Sequence, residues 1–204
     1  MRSITCRCEK TFEADLPEEI DIDVEKGTVA GIIAGTFFTI SCPHCGLTLK
    51  PELQVRMFSR KLHIDVYAVP ETHRTSYYRG NVDIPNGSEV VIGFPELYER
   101  ACIISDSLDP STIEILKYHL LAKAMLGAPE ESEVFVYYKS RDNNGRLNFA
   151  IHGLRPGEIA MIPLGFDRYE KALSEKKSTM SLEPFTRIFA GSYRSVRSLE
   201  MDNN

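Results

Sequence analysis

The sequence predicts an α+β fold in which two cysteine-bearing hairpins precede a mixed core of strands and two main helices. The first observation is that two close cysteine pairs, Cys6/Cys8 and Cys42/Cys45, each lie in a run that alternates apolar and polar residues. The second is that strand-like runs recur beyond them, with one long segment of helical apolar spacing. The third is composition: 43% of the 204 residues are hydrophobic and 26% are charged, which is typical of globular proteins.

The two hairpins occupy the first 55 residues. The first is predicted from SITCRCEKTFEADL at 3–16 and the second from TFFTISCPHCGLTLKPELQV at 36–55, each with its cysteines at the turn. Between them, DVEKGTVAGIIAG at 23–35 predicts a short helix that ends at Gly35.

Strands are predicted at 61–69 and 88–93, and the clearest helix follows. It begins at Asp109, whose side chain can cap free N–H groups, with Pro110 in its first turn. Gly127, which is soon followed by a proline, ends it. The apolar face expected along it consists of Ile113, Leu116, Leu120, Leu121, Ala124 and Met125.

The C-terminal part predicts a hairpin, a strand and a helix. RDNNG at 141–145 separates two strand-like runs, and Asn144 and Gly145 can take the positive φ of a tight hairpin turn. A strand follows at 157–162, and Pro163 is expected to open a helix. The acidic segment 128–133 is the candidate linker, which gives one domain at 1–127 and a C-terminal α+β segment at 128–204.

Charge and hydropathy restrict the function. A formal charge of −5 and a pI near 5.6 argue against a dedicated nucleic-acid binder, which needs a basic surface. The N-terminus lacks the pattern of a signal peptide, and the most apolar window, 29–40, is far shorter than the roughly 20 residues of a membrane span. We therefore expect a cytoplasmic protein with no membrane segment, whose clustered cysteines serve metal or redox chemistry.

The run Cys42-Pro43-His44-Cys45 fits two chemistries. In a thiol–disulfide oxidoreductase, Cys42 would be the nucleophile and Cys45 the resolving thiol, and a helix beginning at Cys42 would stabilise its thiolate. The residues after Cys45, GLTLKPEL, alternate and contain a proline, so they predict a strand instead of that helix.

A structural zinc site fits the same residues better. Pro43 and Gly46 shape a turn in which amide N–H groups can point at sulfur, and Cys6 and Cys8 supply a second pair of ligands. Four thiolates around one Zn²⁺ close a tetrahedral site and leave no position for a substrate. The same four thiolates also suit iron. The remaining alternative is that the four cysteines are reduced core residues with no metal or redox role.

The first cysteine pair departs from the usual spacing of a zinc site. Only Arg7 separates Cys6 from Cys8, where two or more residues are common. An alternative ligand set therefore leaves one of these two sulfurs out and uses His44 or His63 in its place. His44 is otherwise expected at the tip of the second turn.

The order of these motifs resembles that of the CpXC domain family of bacteria and archaea, named for its two Cys-Pro-x-Cys motifs. GTFFTISCPHCG at 35–46 and FPELYERACIISDSLDPSTIEILKYHLL at 94–121 carry the resemblance, which covers about residues 4–125. Cys42, Pro43 and Cys45 match the second motif. Cys6 and Cys8 stand where the first motif belongs, without its proline and one residue closer together. The resemblance implies a four-cysteine zinc-binding domain, and the family has no established activity to carry over.

The functional hypothesis is that a structural zinc site holds a surface for another macromolecule, with a protein as the expected partner. Two alternatives stay open: the oxidoreductase, and nucleic-acid binding through the cysteine turns and the segment 74–79. In that segment Arg74 and Arg79 flank Tyr77 and Tyr78. The sequence contains no Gly-Xaa-Ser-Xaa-Gly turn, phosphate loop or His-Glu-Xaa-Xaa-His motif, so no motif supports catalysis.

Overall fold

The computed structural model describes residues 1–129 and 132–203. The chain divides into two compact units, Met1–Tyr98 (the first unit) and Glu99–Asn204 (the second unit). Both contain strands and helices, which confirms the predicted α+β class. Within the described ranges, no helix combines the length and hydropathy that crossing a membrane requires. The predicted division after residue 127 stays a prediction, and its candidate linker includes residues 130 and 131, which lie outside the described residues.

The first unit begins with the two expected hairpins. Its elements in chain order are β1 Arg2–Thr5, β2 Thr11–Ala14, β3 Glu19–Asp21, α1 Gly27–Ile33, β4 Ile40–Ser41, β5 Thr48–Leu49, β6 Val55–Ser59, β7 Ile64–Val69, a 3-10 turn Glu71–His73, α2 Arg74–Tyr78, β8 Glu89–Ile92 and α3 Gly93–Ser105, within which the unit boundary falls. β1 pairs with β2 and β4 with β5, both antiparallel. The helix between the hairpins ends as predicted, because Gly35 takes a φ of +69°.

A four-stranded sheet forms the core of the first unit. Its order is β3-β6-β7-β8, with β3 parallel to β6, β6 antiparallel to β7 and β7 parallel to β8. β7 and β8 lie within predicted runs, whereas β3 and β6 are strands that the sequence analysis misses. In β6 the side chains of Val55, Met57 and Ser59 are buried and the two between them are half-buried, which is the period of two of a strand.

The second unit contains a three-stranded antiparallel sheet of order β11-β10-β9. Its elements are α4 Pro110–Met125, β9 Phe135–Arg141, β10 Leu147–His152, β11 Ile159–Leu164, α5 Phe166–Ser174, α6 Lys176–Met180, α7 Phe185–Ile188 and a 3-10 helix Val196–Asn203. The predicted hairpin and third strand are confirmed, but only Gly145 of the expected pair takes a positive φ. The predicted helix start was wrong: Pro163 still belongs to β11, and Gly165 precedes α5.

Helix α4 has the predicted N-terminus. Oδ1 of Asp109 accepts hydrogen bonds from the backbone N and from Oγ1 of Thr112, at 2.8 and 2.7 Å. The predicted apolar face is only partly correct, because Ile113 and Leu116 are buried whereas Met125 is 60% exposed. The first half of the helix is instead buried on several sides, so polar residues there are enclosed as well.

A buried ion cluster, formed by Lys117, Glu99 and Glu114, lies within the second unit. The ammonium nitrogen of Lys117 is 2.7 Å from an oxygen of each carboxylate, and the three side chains are 2–8% exposed. The other carboxylate oxygens accept backbone N–H groups from Tyr138 in β9 and from Val196 in the C-terminal 3-10 helix. The buried ion cluster therefore connects the sheet and the C-terminal segment to α4.

Candidate metal centre

The first cysteine turn closes the β1–β2 hairpin. The backbone N–H of Cys6 donates to the carbonyl of Lys10, and that of Glu9 donates to the carbonyl of Cys6, both at 2.9 Å. Glu9, the residue after Cys8, takes a φ of +64°. This left-handed residue reverses the chain immediately after the second cysteine.

The second cysteine turn, between β4 and β5, has the same construction. The backbone N–H of Cys42 donates to the carbonyl of Leu47, and that of Gly46 donates to the carbonyl of Cys42, again at 2.9 Å. Gly46 follows Cys45 and takes a φ of +74°, with no heavy atom within 4 Å of the place where a Cβ would stand. The backbone conformation, and not a lack of space, therefore favours glycine here.

The two turns bring four sulfur atoms together. Sγ of Cys6 lies 3.6 Å from Sγ of Cys45, and Sγ of Cys8 lies 3.8 Å from Sγ of Cys42. All four sulfurs are within 4.8 Å of one another. The closer spacing of the first pair therefore does not remove either of its sulfurs from the cluster, because each turn contributes both of its cysteines.

No histidine joins this group in the part of the chain that the structure describes. The replacement of a cysteine by His44 or His63 therefore has no support in the observed grouping. Cys6 and Cys42 are buried, at 3% and 2% exposure, whereas the other two cysteines are more open to solvent. His44 is exposed on the second turn.

The sulfur positions fit a tetrahedral metal site. With Zn–S distances of about 2.3 Å, sulfurs at the corners of a tetrahedron are about 3.8 Å apart. The two contacts between the hairpins match this edge length. Four soft thiolates at these distances form a donor set for a metal ion such as Zn²⁺ or iron.

The charges of the sulfurs are strongly linked to one another. Burial raises the pKa of Cys42, but amide N–H groups of His44 and Cys45 donate to its sulfur and, together with neighbouring thiols, lower the pKa to about 7. The amide of Leu47 lowers the pKa of Cys45, yet the neighbouring sulfurs and burial raise it to about 12. One thiolate thus forms near neutral pH and disfavours ionisation of the next, a conflict that a bound cation relieves.

Glu52 connects the second cysteine hairpin to the rest of the first unit, and the sequence analysis misses it. Its Oε2 accepts the backbone N–H of Glu71, and its Oε1 accepts that of Phe94 in the first turn of α3, both at 2.8 Å. The carboxylate thereby fixes the chain just beyond β5. A glutamate next to Pro51 carries no local signal of this role, because both partners are distant in sequence.

The segment 74–79, which the nucleic-acid alternative uses, contains the short helix α2. The guanidinium of Arg74 is 15% exposed and pairs with Glu71 at 2.5 Å and with Glu96 at 3.1 Å. Its Nη1 also donates to the hydroxyl of Tyr78 at 3.0 Å. Arg74 therefore holds together carboxylates of the first unit.

Comparison with known proteins adds two findings. The family model described as CpXC protein matches residues 4–117, more than half of the chain. A protein of Treponema pallidum (strain Nichols), described as an uncharacterized protein, is 23% identical over 219 residues, which cover 99% of this chain and 100% of that protein. No solved structure matches the chain.

Proposed function

This chain belongs to the CpXC family, and from that premise and the cysteine cluster we propose that Cys6, Cys8, Cys42 and Cys45 hold one structural zinc ion. The ion would cross-link the two cysteine hairpins, and the joined hairpins would present a surface to a protein partner. The distances between sulfurs of different hairpins, 3.6 and 3.8 Å, carry the proposal, since they equal the edge of a zinc–thiolate tetrahedron to within a few tenths of an ångström.

A structural role suits the size of the hairpins. β1 with β2 and β4 with β5 are separate two-stranded sheets, and β4 and β5 have only two residues each. An isolated two-stranded hairpin is marginally stable in water. Four protein ligands leave no open coordination position, so the ion would supply a cross-link and no reactive centre.

The backbone after Cys45 supports a metal site over the oxidoreductase alternative. A thiol activated by a helix dipole requires a helix that begins at the first cysteine. Here Gly46 is left-handed, and Thr48 and Leu49 form β5, so this stretch is a turn followed by a strand. The amides that lower the pKa of Cys42 belong to the turn itself.

Metal analysis of the full-length protein, purified without chelator, tests the proposal. We expect about one zinc ion per chain and four thiols that react only after unfolding or chelation. Cys42→Ser should lose the metal. Cys102→Ala is the matched control: this buried cysteine of the second unit lies outside the cluster, so the variant should keep the metal.

Three results would contradict the zinc site. The first is absence of metal together with a Cys42 thiol that reacts rapidly at neutral pH, which would favour the oxidoreductase. The second is one equivalent of iron instead of zinc. The third is equal metal loss from Cys42→Ser and Cys102→Ala, which would show that the metal is not held by the cluster.

Because a metal site with four protein ligands has no position for a substrate, we expect the function to be binding to a protein partner. The second cysteine turn exposes Leu47, an apolar side chain, next to the exposed Cys45 and His44. A partner cross-linked to this surface in cells that produce the protein should be lost with Leu47→Ser, a variant expected to keep its metal because Leu47 contributes no side-chain ligand. Leu62→Ser is the control, because Leu62 is also exposed but lies in the turn between β6 and β7.

Loss of the partner with both leucine variants would contradict binding through the cysteine turns. Nucleic-acid binding stays an alternative prediction, and its signature is affinity that falls steeply as salt is raised.

A further inference from the structure

A polar cleft of about 320 Å³ lies on the first unit, and no residue of the two cysteine turns lines it. It is lined by side chains that include Arg2, Glu18, Gln54 and Tyr67, with the Arg56–Glu19 ion pair at its wall. Sites for small molecules commonly have volumes of about 300 Å³ or more. The cleft is therefore large enough for a small ligand, and its lining determines which kind.

Arg56 is already paired with two carboxylates. Its Nε and Nη2 donate to both carboxylate oxygens of Asp65, at 3.0 and 2.7 Å, and its Nη1 donates to Glu19 at 3.0 Å. A two-point pair of this kind is the strong form of an arginine–carboxylate contact. Because Arg56 faces two carboxylates, it has no positive charge left for an anion, and the excess negative charge adds to that of Glu18 in the cleft.

Arg2 differs from Arg56 because no carboxylate pairs with it among the described residues. Its Nη2 donates to two backbone carbonyls, of Gln54 at 2.7 Å and Pro17 at 3.2 Å. Its Nε is buried without a hydrogen-bond partner. A half-buried guanidinium held by neutral carbonyls retains a full positive charge, which favours an anionic group in the cleft that Arg2 lines.

Glu18 provides the opposite charge in the same cleft. Its carboxylate makes no ion pair within the residues that the structure describes, although Arg2 lines the same space. Both charges act on the hydroxyl of Tyr67: burial raises the pKa of this tyrosine, Arg2 lowers it and Glu18 raises it. The hydroxyl itself donates to Gln54 Oε1 at 3.3 Å. The cleft therefore presents a cation and an anion that face the same space without pairing.

We propose that this cleft binds a small zwitterion of the amino-acid class, with its carboxylate on Arg2 and its ammonium group at Glu18. A molecule that carries both charges satisfies both side chains, whereas a simple anion is repelled by Glu18 and a simple cation by Arg2. The proposal does not depend on the metal, since none of these residues lies in a cysteine turn.

Calorimetric titration of the full-length protein with each of the twenty common L-amino acids tests the proposal. Acetate and methylammonium serve as probes of a single charge. We expect at least one amino acid to bind with a dissociation constant of about 1 mM or tighter, and both single-charge probes to bind at least tenfold more weakly, by roughly the contribution of one charge contact. No amino-acid binding at about 10 mM, or acetate binding as tight as that of the amino acid, would overturn the proposal.

Two variants assign the contacts. Arg2→Gln should abolish binding, but it also removes hydrogen bonds to the backbone, so metal content reports whether the hairpins stay folded. Glu18→Gln removes the charge of an exposed side chain that makes no ion pair among the described residues. It should weaken amino-acid binding by roughly threefold to tenfold and should not weaken acetate binding, which the Glu18 carboxylate opposes. Glu13→Gln, an exposed glutamate of β2 outside the cleft, is the matched control. Equal affinities of Glu18→Gln and the wild type would refute the ammonium contact.

Discussion

Replacing Lys117 with methionine removes the cation of the buried ion cluster while keeping most of its volume. The unbranched side chain of methionine can follow the path of the lysine stem, so the change in packing is small. Two carboxylates that are 5% and 8% exposed then remain without their ammonium partner. Breaking a buried ion pair from one side costs about 3–5 kcal/mol of folding free energy.

The loss of folding free energy in Lys117→Met depends on pH. In the wild type, burial already raises the pKa of Glu99 to about 7, with Lys117 opposing and Glu114 adding to the rise. Without Lys117 the pKa of Glu99 rises further. Between the ordinary glutamate pKa and this raised value, Glu99 is protonated in the folded variant and ionised in the unfolded chain. Stability therefore falls as pH rises through this window. The deficit should be smallest near pH 5 and largest near pH 8, at roughly the upper end of the range.

Urea denaturation followed by circular dichroism at these two pH values measures the effect. Lys123→Met is the matched control, because Lys123 is an exposed lysine of the same helix and should cost less than about 0.5 kcal/mol. Adding Glu114→Gln to Lys117→Met should restore part of the loss at the higher pH. A cost below about 1 kcal/mol at pH 8, or the same cost at both pH values, would refute the reasoning.

Three further predictions concern single contacts. Asp109→Ala removes the cap of α4 and its 2.9 Å pair with Lys176, so we expect a loss of about 1–2 kcal/mol, measured by urea denaturation. Burial raises the pKa of Asp109, but Lys176 and Thr112 outweigh it and the net pKa is lowered. This stabilisation is therefore present above the ordinary aspartate pKa and lost as pH falls through the folded value, and a loss that persists unchanged at lower pH would contradict it. Gly46→Ala places a Cβ on a left-handed residue and should cost about 1 kcal/mol in the stability of the second cysteine turn, measured as faster metal transfer to a chelator. Gly27→Ala, at the start of α1 with open space and no positive φ, is its control, and equal rates for the two variants would count against the turn argument. Acidification from about pH 8 to about pH 5 should release the metal, because protons compete for the thiolates, and a zinc-sensitive dye would report a release absent from Cys42→Ser.

Local signals determined several elements from the sequence alone. Asp109 and Pro110 start α4, Gly35 ends α1, and Gly145 closes the β9–β10 hairpin, each through the conformation or hydrogen bonds of neighbouring residues. The two cysteine turns belong to the same category, since residues 42–46 contain their own turn. The prediction that Pro163 starts a helix was wrong because proline is compatible both with the first turn of a helix and with an edge strand such as β11.

Only the tertiary structure decided how distant residues meet. Cys6 lies beside Cys45 and Cys8 beside Cys42, although 39 and 34 positions separate them, and no local sequence pattern fixes how one hairpin is placed against the other. The burial of Lys117 was likewise invisible, since a lysine at helical spacing carries no sign that two glutamates will enclose it. The cleft around Arg2 and Glu18 depends on contacts with Gln54 and Tyr67, far along the chain. Sequence patterns report local backbone preference and periodicity, so they predict turns, caps and strands. Charge pairing and cavities depend on long-range packing, so only the tertiary structure shows them.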